Sequence, residues 1–474
     1  MPAALLPAQQ AQPLALGSRL ELMADRYLVE RLTGAAAQRL HHPARENIAL
    51  EHDAPGEGSG TGYHTVFQDG RLYRMYYKAW HLDTDGKTPR PVRIAYAEST
   101  DGIHWTKPDL GLVECDGSKH NNLLLDKVNG AECHDFSPFL DPTGKVRYRA
   151  IGFGRRPRGL YAFHSNDGIQ WELSAKDPII TEGAFDTQNI AFRDAGIGKY
   201  RVYLRDFHQG KRGIKTALSD DFLHWTKPEW LDFPGAPDEQ LYTNQVKPYY
   251  RAPHLLIGFP SRYTDRGWIP AIAQLPEAEM RRQRSQANLR YGSAVTDALL
   301  MTSRDGRTFH RWNEAFLRPG QRTRDNWSYG DNYLAWHVVE TDSPHADAPR
   351  ELSLYATESY FTGSSSRLRR YSLRIDGFAS VSAPLDGGEM LTKPFTYSGT
   401  KLLLNVSTSG GGSARVELQD DAGKALVASH TIVGDAMDYE VQWPGLRDLG
   451  AHAGKPVRLR VELKDADLFA LRFA

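Results

Sequence analysis

The sequence predicts an all-β protein, with a five-bladed β-propeller followed by a small jelly-roll-like β-sandwich. The first observation is a recurring turn of the form Ser-x-Asp-Gly-x-x-Trp, whose Asp-Gly step suits a tight turn between strands. The second is a change after Pro384, where Gly-rich turns join short apolar strands. The turn motif and its variants occupy residues 99–105, 165–171, 219–225 and 303–309, with a degenerate copy at 374–378.

The spacing of this motif sets the size of the repeat. Its serines lie 66, 54 and 84 residues apart, and a polar segment at 275–288 explains the longest interval as an insertion. Upstream of the copies, alternating Tyr, Val, Leu and Phe indicates antiparallel strands, as in residues 63–80 and 351–361. Units of about 50–80 residues with four short strands are typical of propeller blades. A two-sheet sandwich with accidentally similar turns is the alternative.

The chain is predicted to divide into three parts. Residues 1–17 lack a basic residue and are rich in Ala, Pro, Leu and Gln, which favours a flexible leader over a trimmed export signal. Residues 18–386 are expected to form the propeller and to carry the catalytic site. Residues 387–474 are expected to form the sandwich. The aromatic residues of the sandwich do not cluster as a sugar-binding platform would require, so packing is favoured over carbohydrate binding.

The charge balance excludes several classes of protein. Lys plus Arg and Asp plus Glu each number 58, so the formal net charge is zero and lacks the excess that nucleic-acid or membrane-surface binding requires. No apolar run reaches the length of a membrane span. Two cysteines, Cys115 and Cys133, cannot form a disulfide framework. We expect no nucleic-acid or membrane partner, and the sequence leaves the oligomeric state and the choice between cytoplasm and periplasm open.

The repeated turn and the strand order resemble the five-bladed glycoside hydrolase superfamily, which includes the β-fructosidases and the arabinanase/β-xylosidase group (families 32 and 43). A closer resemblance is to a bacterial set described as similar to the family 32 N-terminal domain. This resemblance implies a glycosidase that cleaves O-glycosidic bonds of an oligosaccharide or glycoside, such as a fructoside or arabinoside, with no cofactor or metal. The residues that carry it are 185–194, 242–263, 300–306, 369–384 and 464–473.

Two segments typical of the β-fructosidases are absent from this chain. These are Trp-Met-Asn-Asp-Pro-Asn-Gly, which carries the nucleophile, and Arg-Asp-Pro. Residues 132–138 are similar to the Glu-Cys-Pro-Asp-Phe motif, in which the Glu, here Glu132, is the general acid. This segment falls one or two blades too early, so the family motif does not by itself assign the acid.

Glycosidic cleavage needs two carboxyl groups across the bond, one protonated and one ionised. Residues at the starts of innermost propeller strands converge on one face of the channel. Asp135, Asp186 and Glu239 begin three successive blades, 51 and 53 residues apart. When carboxyl groups lie close together, repulsion between their charges raises the pKa of one above that of the other, which supplies one acid and one base. We therefore expect Asp186 to be the nucleophile or base, Glu239 the general acid, and Asp135 a group that tunes the acid or orients the sugar. Each Asp could instead cap a turn.

Further candidates follow from the same strand ends. Glu358 competes with Glu239 as acid or accepts a sugar hydroxyl, and Asp331 and Glu57 are weaker candidates. Arg205 and Arg262 could contact a substrate carboxylate or diol, or pair with the site carboxylates. His134 and His208 are expected to be structural rather than metal ligands. Substrate contacts are also expected at Tyr242, Asn244, Gln188, Asn189 and Trp80, although Trp80 could instead pack between blades.

Two other functions remain open at this stage. A glycoside phosphorylase on the same scaffold would need extra cations for phosphate, and Arg155, Arg156, Arg205 and Arg262 are available. A non-catalytic carbohydrate-binding or scaffold propeller would lack a carboxylate pair in the channel.

Overall fold

The structure, a computed structural model, describes residues 12–129, 131–141 and 146–474, and it describes residues 131 and 132 by their backbone alone. The described chain divides into two compact units. Residues 12–41 together with Ile375–Ala474 form the smaller unit, and His42–Arg374 form the larger one.

Most of the regular structure is β-strand, which confirms the expectation of an all-β protein. The smaller unit begins with β1 (Leu14–Gly17), β2 (Glu21–Leu22), β3 (Val29–Gly34) and β4 (Ala37–Leu40). The larger unit begins with β5 (Ala44–Glu51), β6 (Gly62–Asp69), β7 (Leu72–Ala79), β8 (Arg93–Ser99), β9 (Leu123–Leu125), β10 (Lys127–Val128), β11 (Ala131–Leu140), β12 (Tyr148–Arg155), β13 (Arg158–Ser165) and β14 (Glu172–Leu173). It continues with β15 (Ile190–Asp194), β16 (Lys199–His208), β17 (Lys211–Ser219), β18 (Glu229–Trp230), β19 (Gln240–Leu241), β20 (Lys247–Tyr249), β21 (Ala252–Gly258), β22 (Ser261–Asp265), α1 (Pro270–Ala273), α2 (Ala278–Ala287), α3 (Arg290–Ser293), β23 (Ala294–Ala298), β24 (Met301–Ser303), β25 (His310–Arg311), β26 (Val339–Thr341), β27 (Glu351–Glu358) and β28 (Arg367–Arg374). The smaller unit resumes with β29 (Ala379–Ala383), β30 (Gly388–Thr392), β31 (Phe395–Tyr397), β32 (Leu402–Asp420), β33 (Ala425–Ala428), β34 (Asp435–Glu440), a 3-10 turn (Gly450–His452) and β35 (Val457–Phe473).

The strands of the larger unit form antiparallel sheets that follow one another along the chain. Three sheets run in sequence order as β6-β7-β8-β9, β10 to β14, and β15 to β18. The next segment forms two sheets, β19-β22-β23 and β20-β21-β24-β25. The last sheet, β26-β27-β28-β5, takes its edge strand from the start of the unit. This succession of small sheets matches the spacing of the predicted repeat.

The predicted turn is present at all four copies of the motif. At the first copy, Ser99 Oγ accepts a hydrogen bond from the Gly102 N–H at 2.9 Å. Asp101 Oδ1 accepts from the N–H groups of Ile103 and His104 at 2.7 and 2.8 Å. The copies at residues 165–171, 219–225 and 303–309 repeat these bonds. The Ser and Asp side chains therefore close the same turn between neighbouring strands in each sheet.

Side chains near the first strands of different sheets meet in one buried hydrogen-bond network. Gln188 Nε2 donates to the carbonyl of His64 at 3.1 Å and to Thr65 Oγ1 at 3.0 Å. Gln245 Nε2 donates to Gln188 Oε1 and to the carbonyl of Leu334, each at 2.7 Å. Segments that are far apart in sequence are thereby held side by side.

The segment expected as an insertion contains helix α2. Its arginines Arg281 and Arg284 are 4% and 2% exposed, so this polar helix buries charged rather than apolar side chains. None of the helices among the described residues combines the length and the apolar character of a membrane span.

The smaller unit is organised around two long antiparallel strands, β32 and β35, within an 11-stranded sheet of the described residues. N-terminal strands join this sheet: β1 pairs in parallel with β31, β3 pairs with β30, and β4 pairs with β29. Leu16, Met23 and Leu28 lie in the same apolar core as Met390 and Phe395.

The division of the chain therefore differs from the predicted boundaries at residues 17 and 386. Residues 14–17, expected in a flexible leader, form strand β1, whereas residues 1–11 lie outside the described residues. Residues 18–41 and 375–386, expected in the propeller, belong to the smaller unit. The physical reason is pairing between chain ends, which no local sequence pattern reveals.

Candidate active site

The most exposed carboxylate among the predicted catalytic residues is Asp186, which lies in the segment leading into β15. Its Oδ1 is 2.5 Å from Nε2 of His134, which lies on β11. The side chain of Asp186 is 53% exposed and that of His134 is 8% exposed. The histidine therefore holds the carboxylate from the protein side and leaves its other face open to a ligand.

Electrostatics favour the ionised form of Asp186. Burial acts to raise the pKa of this carboxyl, but the hydrogen bond and charge of His134, together with the charges of Arg205 and Lys78, lower it well below its ordinary value. Asp186 is thus a carboxylate across the neutral pH range.

Six tyrosines, which we call the tyrosine cluster, pack beside this carboxylate. The Tyr63 ring stacks on Tyr333 at 6.1 Å between centroids and meets His134 edge-on at 6.2 Å. The hydroxyl of Tyr242 lies 3.5 Å from the main-chain oxygen of Asp186 and accepts from the Tyr329 hydroxyl at 2.7 Å. The members are Tyr63, Tyr242, Tyr263, Tyr329, Tyr333 and Tyr360. Rings with hydroxyl groups can pack against a sugar and also hydrogen-bond to it.

Cationic side chains lie against these rings. Lys78 Nζ is 4.4 Å from the Tyr63 ring centre, and the Arg205 guanidinium is 4.7 Å from that of Tyr242. Arg212 lies 4.3 Å from the Tyr263 ring centre. Arg290 lies 5.3 Å from the Tyr329 ring centre. The cluster therefore combines buried aromatic rings with positive charge.

Trp80 lies in the same region. Lys78 Nζ is 4.7 Å from its ring centre. A cavity of ≈ 440 Å³ beside it is lined also by His134 and Arg155. Trp80 is thus available to line a ligand site rather than only to pack between strands.

Asp135 has a different environment from Asp186. It is fully buried, and its oxygens accept hydrogen bonds from the Phe153 N–H at 3.0 Å and from the backbone and side-chain amides of Asn189 at 3.0 and 3.1 Å. Burial raises the pKa of Asp135 to about 7. These contacts tie β11 and β12 to the segment before β15. Asp135, Asn189 and Gln188 therefore serve the scaffold beneath the site.

Glu239 lies in an arginine network. Its oxygens accept from Arg262 at 3.1 Å and from Arg311 at 2.9 Å. Arg262 also makes a two-point ion pair with Asp297, at 3.0 and 2.7 Å. These residues border a cleft of ≈ 1300 Å³, also lined by Tyr263 of the tyrosine cluster. The sequence left open whether Arg262 contacts a substrate or pairs with a site carboxylate. In the structure it pairs with Glu239.

Glu358 occupies a separate arginine-rich pocket. Arg45 and Arg369 donate to its carboxylate, the latter at 2.7 Å, and Tyr371 donates at 3.2 Å. Burial acts to raise the pKa of Glu358, but Arg369 and Arg45 lower it.

Asp331 and Glu358 border one cavity of ≈ 420 Å³. The Asp331 carboxylate caps the backbone N–H groups of Ser328 and Tyr360, and burial raises its pKa to about 8.

The remaining candidates have structural contacts. Asn244 is 1% exposed, and its main-chain carbonyl accepts from the Phe259 N–H at 3.0 Å. Glu57 accepts from the Tyr77 hydroxyl at 2.5 Å and pairs with Lys107 at 2.7 Å. The side chain of Glu132 lies outside the described residues. In the described ranges no group of three or more His, Cys, Asp and Glu side chains is arranged to hold a metal ion.

No family model matches the chain. Two curated relatives from Mycobacterium tuberculosis strains, "Uncharacterized protein Rv1502" and "Uncharacterized protein MT1551", are each 33% identical over 118 residues, which is 24% of this chain. The chain spans only 34% of the length of these relatives.

Solved structures are similar over more of the chain but at low sequence identity. One titled "Glycoside hydrolase" has a TM-score of 0.45 and 13% identity, covering 69% of this chain and 92% of its own. A fructofuranosidase from Schwanniomyces occidentalis, complexed with fructosylnystose, has a TM-score of 0.43 and 10% identity, covering 91% and 97%. A GH130 structure, from a family described as mannoside phosphorylases and glycoside hydrolases, has a TM-score of 0.43 and 13% identity, covering 71% and 94%.

Of the residues predicted for the site, the structure brings together Asp186, Arg205, Tyr242 and Trp80. It places Glu239 with Arg262, and Glu358 with Asp331, in neighbourhoods of their own. Lys78 and most of the tyrosine cluster are not predicted from the sequence, and His134 is expected there to be a structural residue rather than a partner of Asp186. One signal was available: His134 directly precedes Asp135 at a strand position already predicted to face the channel.

Proposed function

We propose that this chain is a carbohydrate-active enzyme that cleaves the O-glycosidic bond of an oligosaccharide or glycoside. The observation that carries the proposal is the half-exposed Asp186 carboxylate, bonded to His134 beside the tyrosine cluster. In such a reaction an ionised carboxylate either attacks the anomeric carbon or activates a water. The lowered pKa of Asp186 keeps it in the required form. His134 fixes its direction, and the tyrosines offer rings and hydroxyls to the sugar.

We further propose that the larger unit closes into a five-bladed propeller with this site at its centre. The hydrogen bonds that link Gln188, Gln245, Thr65 and Leu334 support closure, because these residues lie in or before the first strands of different sheets. A parallel bridge between Thr65 and Trp336 joins the first strand of the first sheet to the segment before β26. In a closed propeller, the segments that precede the innermost strands of successive blades lie on one face of the channel. Asp186, which precedes β15, then lies on that face.

Glu239 is our proposed general acid. Both of its oxygens accept hydrogen bonds from arginines in the free protein, so proton donation requires the substrate to displace at least one of these contacts. Arg212 connects the two regions, since it donates to Gln240 at 2.6 Å and lies against the Tyr242 and Tyr263 rings. A substrate bound at Asp186 can therefore extend toward Glu239 and the large cleft.

Aryl glycosides with different leaving groups test both assignments together. Asp186→Asn is expected to lower kcat/KM by about 10³-fold or more for every leaving group, since it removes the nucleophile or base. Glu239→Gln is expected to lower it strongly for weakly acidic leaving groups and little for dinitrophenol, which departs without protonation.

Matched substitutions at exposed sites serve as controls. Asp220→Asn and Glu172→Gln make the same chemical changes at side chains that are 79% and 82% exposed. Full activity of Asp186→Asn would refute the proposed role of that residue. If Glu239→Gln lowered kcat/KM equally for every leaving group, the assignment of Glu239 as the general acid would be refuted. Sugar binding without turnover would identify a binding protein.

A further inference from the structure

Three arginines at the tyrosine cluster lack the carboxylate partners that several buried arginines have elsewhere in this protein. Within the described residues, Arg205, Arg212 and Arg290 form no ion pair with Asp or Glu. Arg205 is only 4% exposed, and its Nε donates to a main-chain oxygen, that of Ala184, at 3.0 Å. The buried Nε atoms of Arg212 and Arg290 have no hydrogen-bond partner. Burying charge without a counter-charge is costly.

Other buried arginines show the usual arrangement. Arg201 pairs with Asp194 at 3.0 Å, and Arg311 pairs with Glu239 at 2.9 Å. Arg370 pairs with Glu351 at 2.8 Å. Counter-charges are therefore supplied to these three arginines but not to every buried one. Arg281 and Arg284 of α2 also form no ion pair among the described residues, and both donate to main-chain oxygens instead.

Two of the three arginines lie against one ring, and the third, Arg290, lies against Tyr329, whose hydroxyl donates to that of Tyr242. Arg205 and Arg212 lie 4.7 and 5.2 Å from the centre of Tyr242. Burial acts to raise the pKa of Tyr242, yet the charges of Arg205 and Arg290 bring it below its ordinary value. Asp186 is the neighbouring carboxylate, and it is engaged by His134.

We infer that the substrate carries an anionic group, a carboxylate or sulfate on the sugar, that binds against Arg205, Arg212 and Arg290 at Tyr242. Guanidinium groups match such oxyanions with paired N–H donors, so they select an anionic over a neutral sugar. The inference rests on the proposed function, because it names the substrate class of the same site.

Calorimetric binding to the Asp186→Asn variant tests this without catalysis. The probes are methyl glycosides of glucuronic and galacturonic acid, the matched glucosides and galactosides, their sulfate esters, and inorganic phosphate. At least one anionic sugar is expected to bind about 10-fold or more tightly than its neutral counterpart. Arg290→Gln in the same background is expected to remove that preference. Arg193→Gln, at an arginine 5.0 Å from the Tyr200 ring, is expected to preserve it.

Each outcome decides a separate claim. Equal binding of anionic and neutral sugars, unchanged in Arg290→Gln, would overturn the inference. Binding of inorganic phosphate, with turnover of neutral glycosides by the unmodified protein only when phosphate is present, would also overturn it and indicate phosphorolysis. Arginine-dependent binding of an anionic sugar that the unmodified protein never cleaves would support the anion site and refute the proposed hydrolysis.

Discussion

Asp135 and Asp186 occupy similar positions before or within inner strands, yet their surroundings give them different tasks. Three N–H donors enclose Asp135, whereas Asp186 meets one histidine and open space. The sequence predicted that both face the same region, because their spacing follows the repeat. It could not predict that hydrogen-bond donors enclose Asp135, since these donors come partly from the backbone of Phe153 and Asn189. A backbone donor leaves no signature in residue type.

His134 is expected to act as a positioning residue for Asp186. His134→Phe removes both the hydrogen bond and the charge that lower the pKa of Asp186, so that pKa rises. Because Asp186 must be ionised to act, acidification then protonates it, and so inactivates the enzyme, at a higher pH than in the original protein. The acid limb of the kcat/KM profile should therefore move to higher pH, and kcat/KM near neutral pH should fall by about 10-fold or more.

His134→Gln supplies the control for this prediction. Glutamine retains an N–H donor without the imidazole charge, so part of the activity and part of the shift should be recovered. An acid limb that does not move in His134→Phe would contradict the positioning role, even if activity fell.

At the scale of the element, the turn motif was predictable because its bonds are local. Ser and Asp side chains contact backbone N–H groups two or three residues away, so residue type and spacing are sufficient. The split of one repeat into two sheets was not predictable in this way. It occurs where β21 ends at Gly258 and β22 begins at Ser261. Pro260 lies between them and has no N–H for a ladder hydrogen bond.

Neighbouring aspartates in the third copy of the motif allow a matched stability test. Asp221 accepts from the N–H groups of Leu223 and His224 at 2.9 and 2.8 Å, while Asp220 makes only an exposed ion pair with Lys199. Asp221→Ala is expected to lower the free energy of unfolding by about 1 kcal/mol, as loss of a side-chain cap does. Asp220→Ala should cost less than about 0.5 kcal/mol. Urea denaturation measures both.

The difference in the free energy of unfolding between the original protein and Asp221→Ala should also depend on pH. These N–H donors lower the pKa of Asp221 in the folded state, so its contribution is present above the ordinary Asp pKa of about 4 and declines as the pH falls toward the folded value. The free energies of unfolding of the original protein and of Asp221→Ala should therefore differ less at pH 3 than at pH 7. A gap that widens on acidification would contradict this cause.

At the scale of the whole molecule, repeated units are easier to predict than contacts between distant segments. The succession of small sheets follows from the spacing of the turns. By contrast, β1 pairs with β31 across almost the whole chain, and Tyr63, Tyr242 and Tyr333 meet although nearly 300 residues separate the first from the last. An aromatic-rich composition is compatible with either a core or a binding site, and three-dimensional packing was needed to decide.

The central claim is that Asp186 acts directly at the glycosidic bond. The most direct measurement is azide rescue of Asp186→Ala on an aryl glycoside that the unmodified protein cleaves, with product configuration followed by NMR. We predict that the variant is inactive alone, and that azide, entering the space left by the carboxylate, restores turnover and forms a glycosyl azide. Retention of the original rate by Asp186→Ala without azide would contradict the account.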